Sequence, residues 1–290
     1  GGWEKSENVK HFLSYAEKVT NELGDLIDIV CTINEANLTA CFAHSFQSYP
    51  ENGMKAIMPF IKEAAEECGS TLENFGPFLF GHPFKIRDCM MEAHVKSVPI
   101  IKNILNNNQP VGVTLSIMDY QAAEGGEKVR DQAYAESVDC CLDQITNDDF
   151  VGVQMYTRHT YGPDGIIKPK ADDPNMLVMG YEYYPESLEN VVRYVSSKIK
   201  TPIMITENGI GTDDDNQRIQ YLKTALQGLQ KCLDDGIDVR GYFCWSLLDN
   251  FEWLFGYKPR FGLVEVNRET LDRQAKESFK FFKDVIDQSS

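Results

Sequence analysis

Apolar positions along this chain recur with two alternating periods. In residues 9–23, Phe12, Ala16 and Val19 share one helical face, and a glycine follows the last apolar position. Residues 27–33 are instead short, β-branched and mostly apolar, as in a strand that is buried on both faces. The pattern therefore predicts a helix that leads into a strand.

The same alternation continues to the end of the chain. Helical periods cover residues 53–68, 88–106, 125–146, 185–198, 218–234 and 271–286. Strand-like runs cover residues 27–33, 111–117, 150–156, 201–206 and 239–246. Strands that alternate with helices indicate a parallel sheet, either doubly wound or closed into a barrel. Nucleotide binding is not indicated, because no glycine-rich phosphate-binding motif follows a strand.

Two of the predicted strands end on a glutamate. Residues 30–35 read Val-Cys-Thr-Ile-Asn-Glu, and residues 202–209 read Pro-Ile-Met-Ile-Thr-Glu-Asn-Gly, in which Asn208-Gly209 is typical of a turn. Parallel strands of a barrel bring their carboxyl ends to one rim, where active sites lie. Paired carboxylates at such a rim are typical of glycoside hydrolysis.

Charge and composition narrow the range of partners. A net charge of -16 with a pI near 4.7 disfavours nucleic acid and anionic membrane as partners. No stretch approaches the roughly 18 apolar residues of a membrane span, and no signal-peptide core opens the chain. We therefore expect a soluble protein with a neutral substrate.

The cysteines and histidines do not suggest a metal or redox site. Eight cysteines occur without a C-x-x-C pair, and five histidines show no metal-ligand spacing. Buried thiols in a reducing cytoplasm are favoured over disulfides. Asp213 to Asp215 is interpreted as a helix-capping run rather than a calcium site.

Three segments in the second half of the chain resemble a known family. They are Thr-Glu-Asn-Gly at 206–209, Tyr-Phe-Cys-Trp-Ser-Leu-Leu-Asp-Asn-Phe-Glu-Trp at 242–253, and Arg-Phe-Gly-Leu at 260–263. These look like the signatures of glycoside hydrolase family 1, the β-glucosidase family. The resemblance implies an α/β fold, a (β/α)₈ TIM barrel, of which this chain carries strands four to eight and their helices.

The resemblance also implies roles for site residues. Glu207 would be the nucleophile, Glu35 the acid/base, Tyr156 a hydrogen-bond donor to the nucleophile, and Asn34 a contact to the sugar's 2-hydroxyl. Retention requires carboxyl groups about 5–5.5 Å apart, one ionised and the other protonated. Such a phenol would help to keep Glu207 ionised.

Four further residues match the family's sugar-binding positions: Trp245, Glu252, Trp253 and Phe261. Aromatic rings pack on the apolar faces of a pyranose, and a carboxylate accepts hydrogen bonds from two adjacent hydroxyls. Glu252 resembles the branch of the family that acts on unphosphorylated sugars.

Two positions depart from the family pattern. Ala36 stands where the family has proline after the acid/base, and we expect it to loosen the loop and to alter aglycone preference or rate. Gln154 stands where the family has asparagine, so its amide lies one methylene further out. Segments 36–52 and 157–184 are interpreted as loops that shape the aglycone side.

The resemblance begins directly after the family's third strand. We therefore expect residues 1–290 to form a single catalytic domain, the C-terminal five-eighths of a barrel, without strands one to three. Five parallel strands cannot close this barrel, and exposed edges invite association. A companion chain or subunit that supplies the missing strands is favoured over a truncation closed by another subunit or a different closure.

Together these features predict a retaining, exo-acting β-glycosidase without a cofactor. A β-glucosidase is favoured, with a small neutral β-glucoside or cello-oligosaccharide as substrate and Glu35 and Glu207 as the reacting groups. Transglycosylation through the same intermediate stays open. The alternative is a non-catalytic sugar-binding protein or an inactive fragment of a β-glucosidase-like barrel.

Overall fold

The computed structural model describes residues 2–46, 51–77, 81–106, 108–170 and 173–289, without the side chains of residues 45–46, 51–57, 254 and 289. The strands are β1 (Val30–Cys31), β2 (Val111–Ser116), β3 (Asp119–Ala122), β4 (Phe150–Met155), β5 (Arg158–Gly162), β6 (Gly165–Ile166), β7 (Ile203–Asn208), β8 (Val239–Cys244), β9 (Val264–Val266) and β10 (Arg273–Ala275). The helices are α1 (Val9–Leu23), α2 (Leu38–Phe46), α3 (Glu51–Glu67), α4 (Pro83–Ile104), α5 (Glu127–Tyr134), α6 (Cys140–Leu142), α7 (Ser187–Lys198), α8 (Asp215–Asp234) and α9 (Glu277–Ser289). A π-helical segment, Ala135–Asp139, joins α5 to α6.

Five strands form one parallel sheet in the order β1-β2-β4-β7-β8. These are the five strands that the apolar runs predict, and helices connect them in sequence. The sheet thus has the strand order and crossover connections of part of a (β/α)₈ barrel, which confirms the expected fold class. The alternative of a doubly wound sheet is wrong, because strand order follows chain order without reversal.

Burial is greatest at the middle of this sheet. Every residue of β2 and β4 is buried, because each strand has a neighbour on both sides and helices cover it. In the described part of the chain, β1 and β8 each pair with one strand of this sheet, and Phe243 in β8 is 54% exposed. The sheet edges therefore lie where the sequence predicts them.

The segment after β1 is not the loop that we predicted for residues 36–52. Leu38–Phe46 forms α2, whereas residues 47–50 lie outside the described residues. Leucine and alanine in this segment favour a helix, and α2 packs on α4 and on the π-helical segment.

The segment 157–184 is also more regular than predicted. It contains β5 and β6, which form an antiparallel hairpin, and β5 pairs in parallel with β3. Gly165, the first residue of β6, has a φ of 123°, so glycine is required where the hairpin turn ends. This small sheet stands at the carboxyl ends of β2 and β4.

The predicted closing helix at 271–286 begins later than expected. Arg273–Ala275 instead forms β10, which pairs antiparallel with β9, and α9 starts at Glu277. Leu271 has a φ of 64°, and this left-handed turn breaks the helical period before β10.

The aspartate run before α8 caps that helix, as predicted. The Asp214 side chain accepts hydrogen bonds from the backbone N–H groups of Asn216 and Gln217. Asp215 instead binds Arg218 and Ser278, which ties α8 to α9. Within the described ranges, no helix has both the length and the apolar character needed to cross a membrane.

Candidate active site

Glu207 lies near the end of β7, where β4 places two donors against its carboxylate. Gln154 is its register partner on β4, and Gln154 Nε2 donates to Glu207 Oε1 at 2.8 Å. The Tyr156 hydroxyl donates to Glu207 Oε2 at 2.5 Å. Each carboxylate oxygen therefore has its own donor, which fixes the plane of the carboxylate.

The surroundings of Glu207 act on its pKa in opposite directions. Burial raises the pKa of Glu207, the hydrogen bond from Tyr156 lowers it, and the nearby charge of Glu252 raises it. Burial, together with the adjacent carboxylate, holds the pKa of Tyr156 well above its usual value. Tyr156 is consequently a permanent proton donor to Glu207 near neutral pH.

A buried hydrogen-bond network holds β4, β7 and β8 together behind Glu207. Asn208 Nδ2 donates to the Met155 carbonyl at 2.7 Å and to the Tyr221 hydroxyl at 3.0 Å. Its Oδ1 accepts from the Tyr242 hydroxyl at 2.8 Å, and the Tyr221 hydroxyl in turn donates to the Tyr156 carbonyl. Asn208 is thus the fully buried last residue of β7, and the prediction of a turn residue is wrong.

Gly209 follows because the neighbouring chain leaves no room for a side chain. A Cβ on Gly209 would lie 1.9 Å from the carbonyl oxygen of Trp245. Trp245 N also donates to the Asn208 carbonyl at 2.9 Å, so the segment after β8 crosses directly over this position. The Asn-Gly pair therefore serves close backbone packing between β7 and β8.

Glu35 follows β1 in a left-handed backbone conformation with a φ of 48°. Its backbone N–H donates to Thr114 Oγ1 at 3.1 Å, and Ala36 N donates to the Thr114 carbonyl at 3.3 Å. A proline at position 36 would lack this second donor. Ala36 is fully buried, so the expected loosening of this loop is wrong: its N–H anchors the loop to β2.

The carboxyl of Glu35 is held protonated. Burial, followed by the nearby charge of Glu207 and a smaller contribution from Glu252, raises the pKa of Glu35 to about 8, although a hydrogen bond with Ser116 lowers it. A pKa near 8 leaves Glu35 neutral at pH 7, beside an ionisable Glu207. Two neighbouring carboxyl groups in different environments can divide the roles of proton donor and nucleophile.

Asn34 is connected to Glu207 through Gln154. Asn34 Oδ1 accepts from Gln154 Nε2 at 2.9 Å and lies 3.3 Å from Thr114 Oγ1. Its Nδ2 has no protein partner among the described residues, and the side chain is exposed. The structure therefore brings Asn34, Glu35, Tyr156 and Glu207 into one site.

The four predicted sugar-binding residues lie beyond β8 and differ in exposure. Trp245 and Glu252 are partly buried, and Glu252 Oε2 accepts from Asn250 Nδ2 at 2.7 Å. Trp253 is 78% exposed at a φ of 45°. Phe261 is only 2% exposed, and its ring packs edge-on against Tyr156 at 6.0 Å. The structure thus places Phe261 behind Tyr156, and its contact with a sugar stays a prediction.

Comparison with known proteins decides the family. The model for glycosyl hydrolase family 1 matches residues 1–163 and 146–290. The chain belongs to glycosyl hydrolase family 1. It is accordingly a glycoside hydrolase.

Known glycosidases are similar to all or part of this chain. β-Glucosidase A of Acetivibrio thermocellus is 26% identical over 99% of this chain and 70% of its own length. A bifunctional β-D-glucosidase/β-D-fucosidase of Bifidobacterium breve is 42% identical over 37% of this chain and 26% of its own length. The crystal structure of the β-glycosidase BGL167 superposes with a TM-score of 0.90 at 38% identity, over all of this chain and 69% of that one.

Three residues that support this family 1 site were not predicted from the sequence. Thr114 and Ser116 on β2 face Asn34 and Glu35, whereas Asn37 binds the backbone of Ser116 through both ends of its amide, at 2.8 Å each. The one available signal was the alternation of Thr114 and Ser116 with apolar residues, which places both on one face of a buried strand.

Proposed function

We propose that this family 1 protein is a retaining β-glycosidase, with Glu207 as nucleophile and Glu35 as acid/base. One observation carries the proposal: Glu35 is held neutral up to a pKa of about 8, while both oxygens of Glu207 accept hydrogen bonds that favour the anion. Burial raises the pKa of Glu207 as well, but the hydrogen bond from Tyr156 opposes that rise, so the two carboxyl groups stand in different environments, as double displacement requires.

The first step would transfer the sugar to the enzyme. Glu35 donates its proton to the glycosidic oxygen as the bond from this oxygen to the anomeric carbon breaks, and a Glu207 oxygen bonds to that carbon. In the second step the ionised Glu35 takes a proton from water. The resulting hydroxyl bonds to the anomeric carbon, and Glu207 leaves as a carboxylate.

The favoured substrate is a terminal, non-reducing β-D-glucosyl residue of a small neutral β-glucoside or cello-oligosaccharide. Trp245 and Trp253 offer ring faces, and Glu252 offers a carboxylate to sugar hydroxyls. The similarity to a β-glucosidase from Acetivibrio supports a glucoside. The two-activity relative from Bifidobacterium keeps β-fucosides as a second substrate to test.

We also propose that further polypeptide completes the barrel next to β1 and β8, supplied by a companion chain or subunit. Support comes from the single sheet neighbour of each edge strand among the described residues, and from the exposed ring of Phe243 on β8. A cytoplasmic location is part of the same proposal, since the cysteine pattern suits a reducing compartment. Native mass spectrometry of protein purified from its source would show a companion as an added mass.

A 2-deoxy-2-fluoro-β-glucoside with a good leaving group tests the chemistry. Family 1 chemistry predicts a stable glycosyl ester, detected as one added fluoroglycosyl mass in the denatured chain and mapped to Glu207. The matched control is Glu207→Gln, which should acquire no label. Label on another carboxylate, or none on a chain that hydrolyses aryl β-glucosides, would contradict the assignment.

A sugar-binding role without turnover is the second candidate. The open edges of β1 and β8 favour it, because a half-open site admits water around the reacting groups. Calorimetric binding of glucose or cellobiose, without release of aryl alcohol from any aryl β-glycoside, would support this candidate over hydrolysis.

A further inference from the structure

Gln154 lies at the centre of the site without taking part in the proposed reaction steps. It is 2% exposed on β4, and its single Nε2 donates to Glu207 Oε1 at 2.8 Å and to Asn34 Oδ1 at 2.9 Å. An amide nitrogen carries two hydrogens, so both are used. Gln154 therefore connects the strand that carries the nucleophile with the loop that carries the acid.

The chemistry of its neighbours fixes the orientation of the Gln154 amide. Turning the amide over would set its oxygen against Glu207 Oε1 and Asn34 Oδ1, which are both acceptors in this arrangement. The observed orientation instead leaves Gln154 Oε1 buried and without a hydrogen-bond partner in the described structure. The bridge to Glu207 and Asn34 is thus retained at the cost of an unpaired carbonyl.

The orientation of Asn34 follows from that of Gln154. Because Gln154 donates to Asn34 Oδ1, the opposite end of this amide, Nδ2, turns away from the protein and has no partner among the described residues. Asn34, whose exposed side chain carries this Nδ2, directly precedes Glu35 and is linked to Glu207 through the Gln154 amide alone. If Glu207 bonds to the anomeric carbon, as proposed, the sugar hydroxyl nearest to that bond is the one on the adjacent carbon, the 2-hydroxyl.

We propose that Gln154 is a positioning residue that orients the Asn34 amide toward the 2-hydroxyl of the substrate and holds the Glu207 carboxylate in register with it. The inference rests on the proposed function. In this arrangement, discrimination between substrates with and without a 2-hydroxyl depends on Gln154, which itself touches no sugar. Contacts to this hydroxyl strengthen in glycosidase transition states, so the effect should appear in kcat/KM.

The length of Gln154 matters for this role. Shortening the side chain to asparagine withdraws the amide by about one C–C bond, ~1.5 Å. Hydrogen bonds of 2.8 and 2.9 Å would then exceed the normal N–H···O range of up to about 3.2 Å. In this chain, Gln154→Asn should therefore behave like a partial loss of the bridge.

The decisive variant is Gln154→Met, which keeps the shape but removes both donors and the unpaired oxygen. Its effect is measured as kcat/KM on an aryl β-glucoside and on the matching aryl 2-deoxy-β-glucoside. We expect a loss on the order of tenfold to a hundredfold for the glucoside and a markedly smaller loss for the 2-deoxy compound. Gln144→Met, which removes a partly buried amide bound to the Cys140 carbonyl, is the matched control.

The two substrates distinguish positioning from general support of the site. Equal losses on both substrates would overturn the proposal, and so would wild-type kinetics in Gln154→Met. Asn34→Ala adds a second check: combined with Gln154→Met it should cost little more than either change alone, because both act on the same hydroxyl. Fully additive losses would also overturn the proposal.

A binding experiment separates failure of this inference from failure of the proposed function. If the wild-type protein turns over no glucoside, the affinities of gluconolactam and of 2-deoxygluconolactam are compared by calorimetry. If Gln154→Met binds gluconolactam more weakly than the wild type does, but binds 2-deoxygluconolactam equally well, the inference is supported without any turnover. Unchanged selectivity between the two lactams, or binding of neither, overturns it.

Discussion

The β4–β7 pair and the segment after β8 differ in how firmly they hold their functional side chains. On β4 and β7, Tyr156 and Gln154 bind both oxygens of Glu207, and the strands that carry them have neighbours on both sides. Beyond β8, Trp253 is 78% exposed. The described chain therefore fixes the geometry of Glu207, the proposed nucleophile, whereas Trp253, a proposed sugar-binding residue, is exposed beyond the edge strand β8.

The two regions are expected to differ in function: one supports the chemical step, and the other supports substrate affinity. Glu207, Tyr156 and Asn208 are connected by hydrogen bonds across β4, β7 and β8, so their geometry follows from the strand register. Trp253 instead begins a 3₁₀ turn, Trp253–Phe255, and its ring is largely exposed. Changes on the inner pair should thus affect kcat and stability, and changes beyond β8 should affect KM.

The largest expected effect is that of Glu207→Gln. Loss of the nucleophile should lower kcat/KM on an aryl β-glucoside by at least about a thousandfold, because no other carboxylate shares its two donors. Glu73→Gln, an exposed change in a short helical turn, is the control and should leave kcat/KM unchanged. Substantial residual turnover of the aryl β-glucoside by Glu207→Gln would mean that a different carboxylate reacts.

Asn208→Ala should show how far the inner region depends on its buried network. It removes hydrogen bonds to Met155, Tyr221 and Tyr242, so urea denaturation should show a loss of about 2–4 kcal/mol. The exposed Asn216→Ala is expected to lie within about 0.5 kcal/mol of wild type. Equal stability of the two variants would refute the idea of a network-held nucleophile.

The third prediction concerns pH and Glu35. Because its pKa is raised to about 8, the acid stays protonated at neutral pH, and kcat/KM should fall only above about pH 8. The folded state binds this proton more tightly than the unfolded state does, so this group's contribution to stability decreases as pH rises from about 4.5 to 8.

Glu35→Gln separates these two consequences. The variant should lose the alkaline limb of the rate profile, and its thermal midpoint should exceed that of wild type more at pH 8 than at pH 5. A thermal difference that is the same at both pH values would mean that Glu35 titrates normally in the folded protein.

The smallest expected effect lies at the edge, with Trp253→Ala. Loss of an exposed ring should raise KM by up to roughly tenfold, leave kcat nearly unchanged, and alter stability by less than about 0.5 kcal/mol. Tyr15→Ala on α1, with a ring that is 64% exposed, controls for loss of a surface aromatic residue. A larger fall in kcat than rise in KM would show that the edge also takes part in positioning the reacting groups.

Sequence reasoning succeeded where the signal was local. Periodicity predicted the five strands of the main sheet, and glutamates at two strand ends predicted that Glu35 and Glu207 face one site. It failed for α2, for the β5–β6 hairpin and for β10, because mixed apolar and polar residues in those segments carry no clear period. It also took Asn208-Gly209 for a turn, since the tendency of that pair to form turns is outweighed by packing beneath Trp245.

The sequence by itself determined the element order, the parallel topology and the residue types at the strand ends, since these depend on neighbours along the chain. Only the tertiary structure decided which carboxyl group keeps its proton and which residues orient each carboxyl group. Tyr156 binds Glu207 across 51 residues, and the pKa of Glu35 depends on Ser116 and Glu207, which are also distant in sequence. Burial and hydrogen bonding between such distant residues set the pKa values, and no local pattern records them.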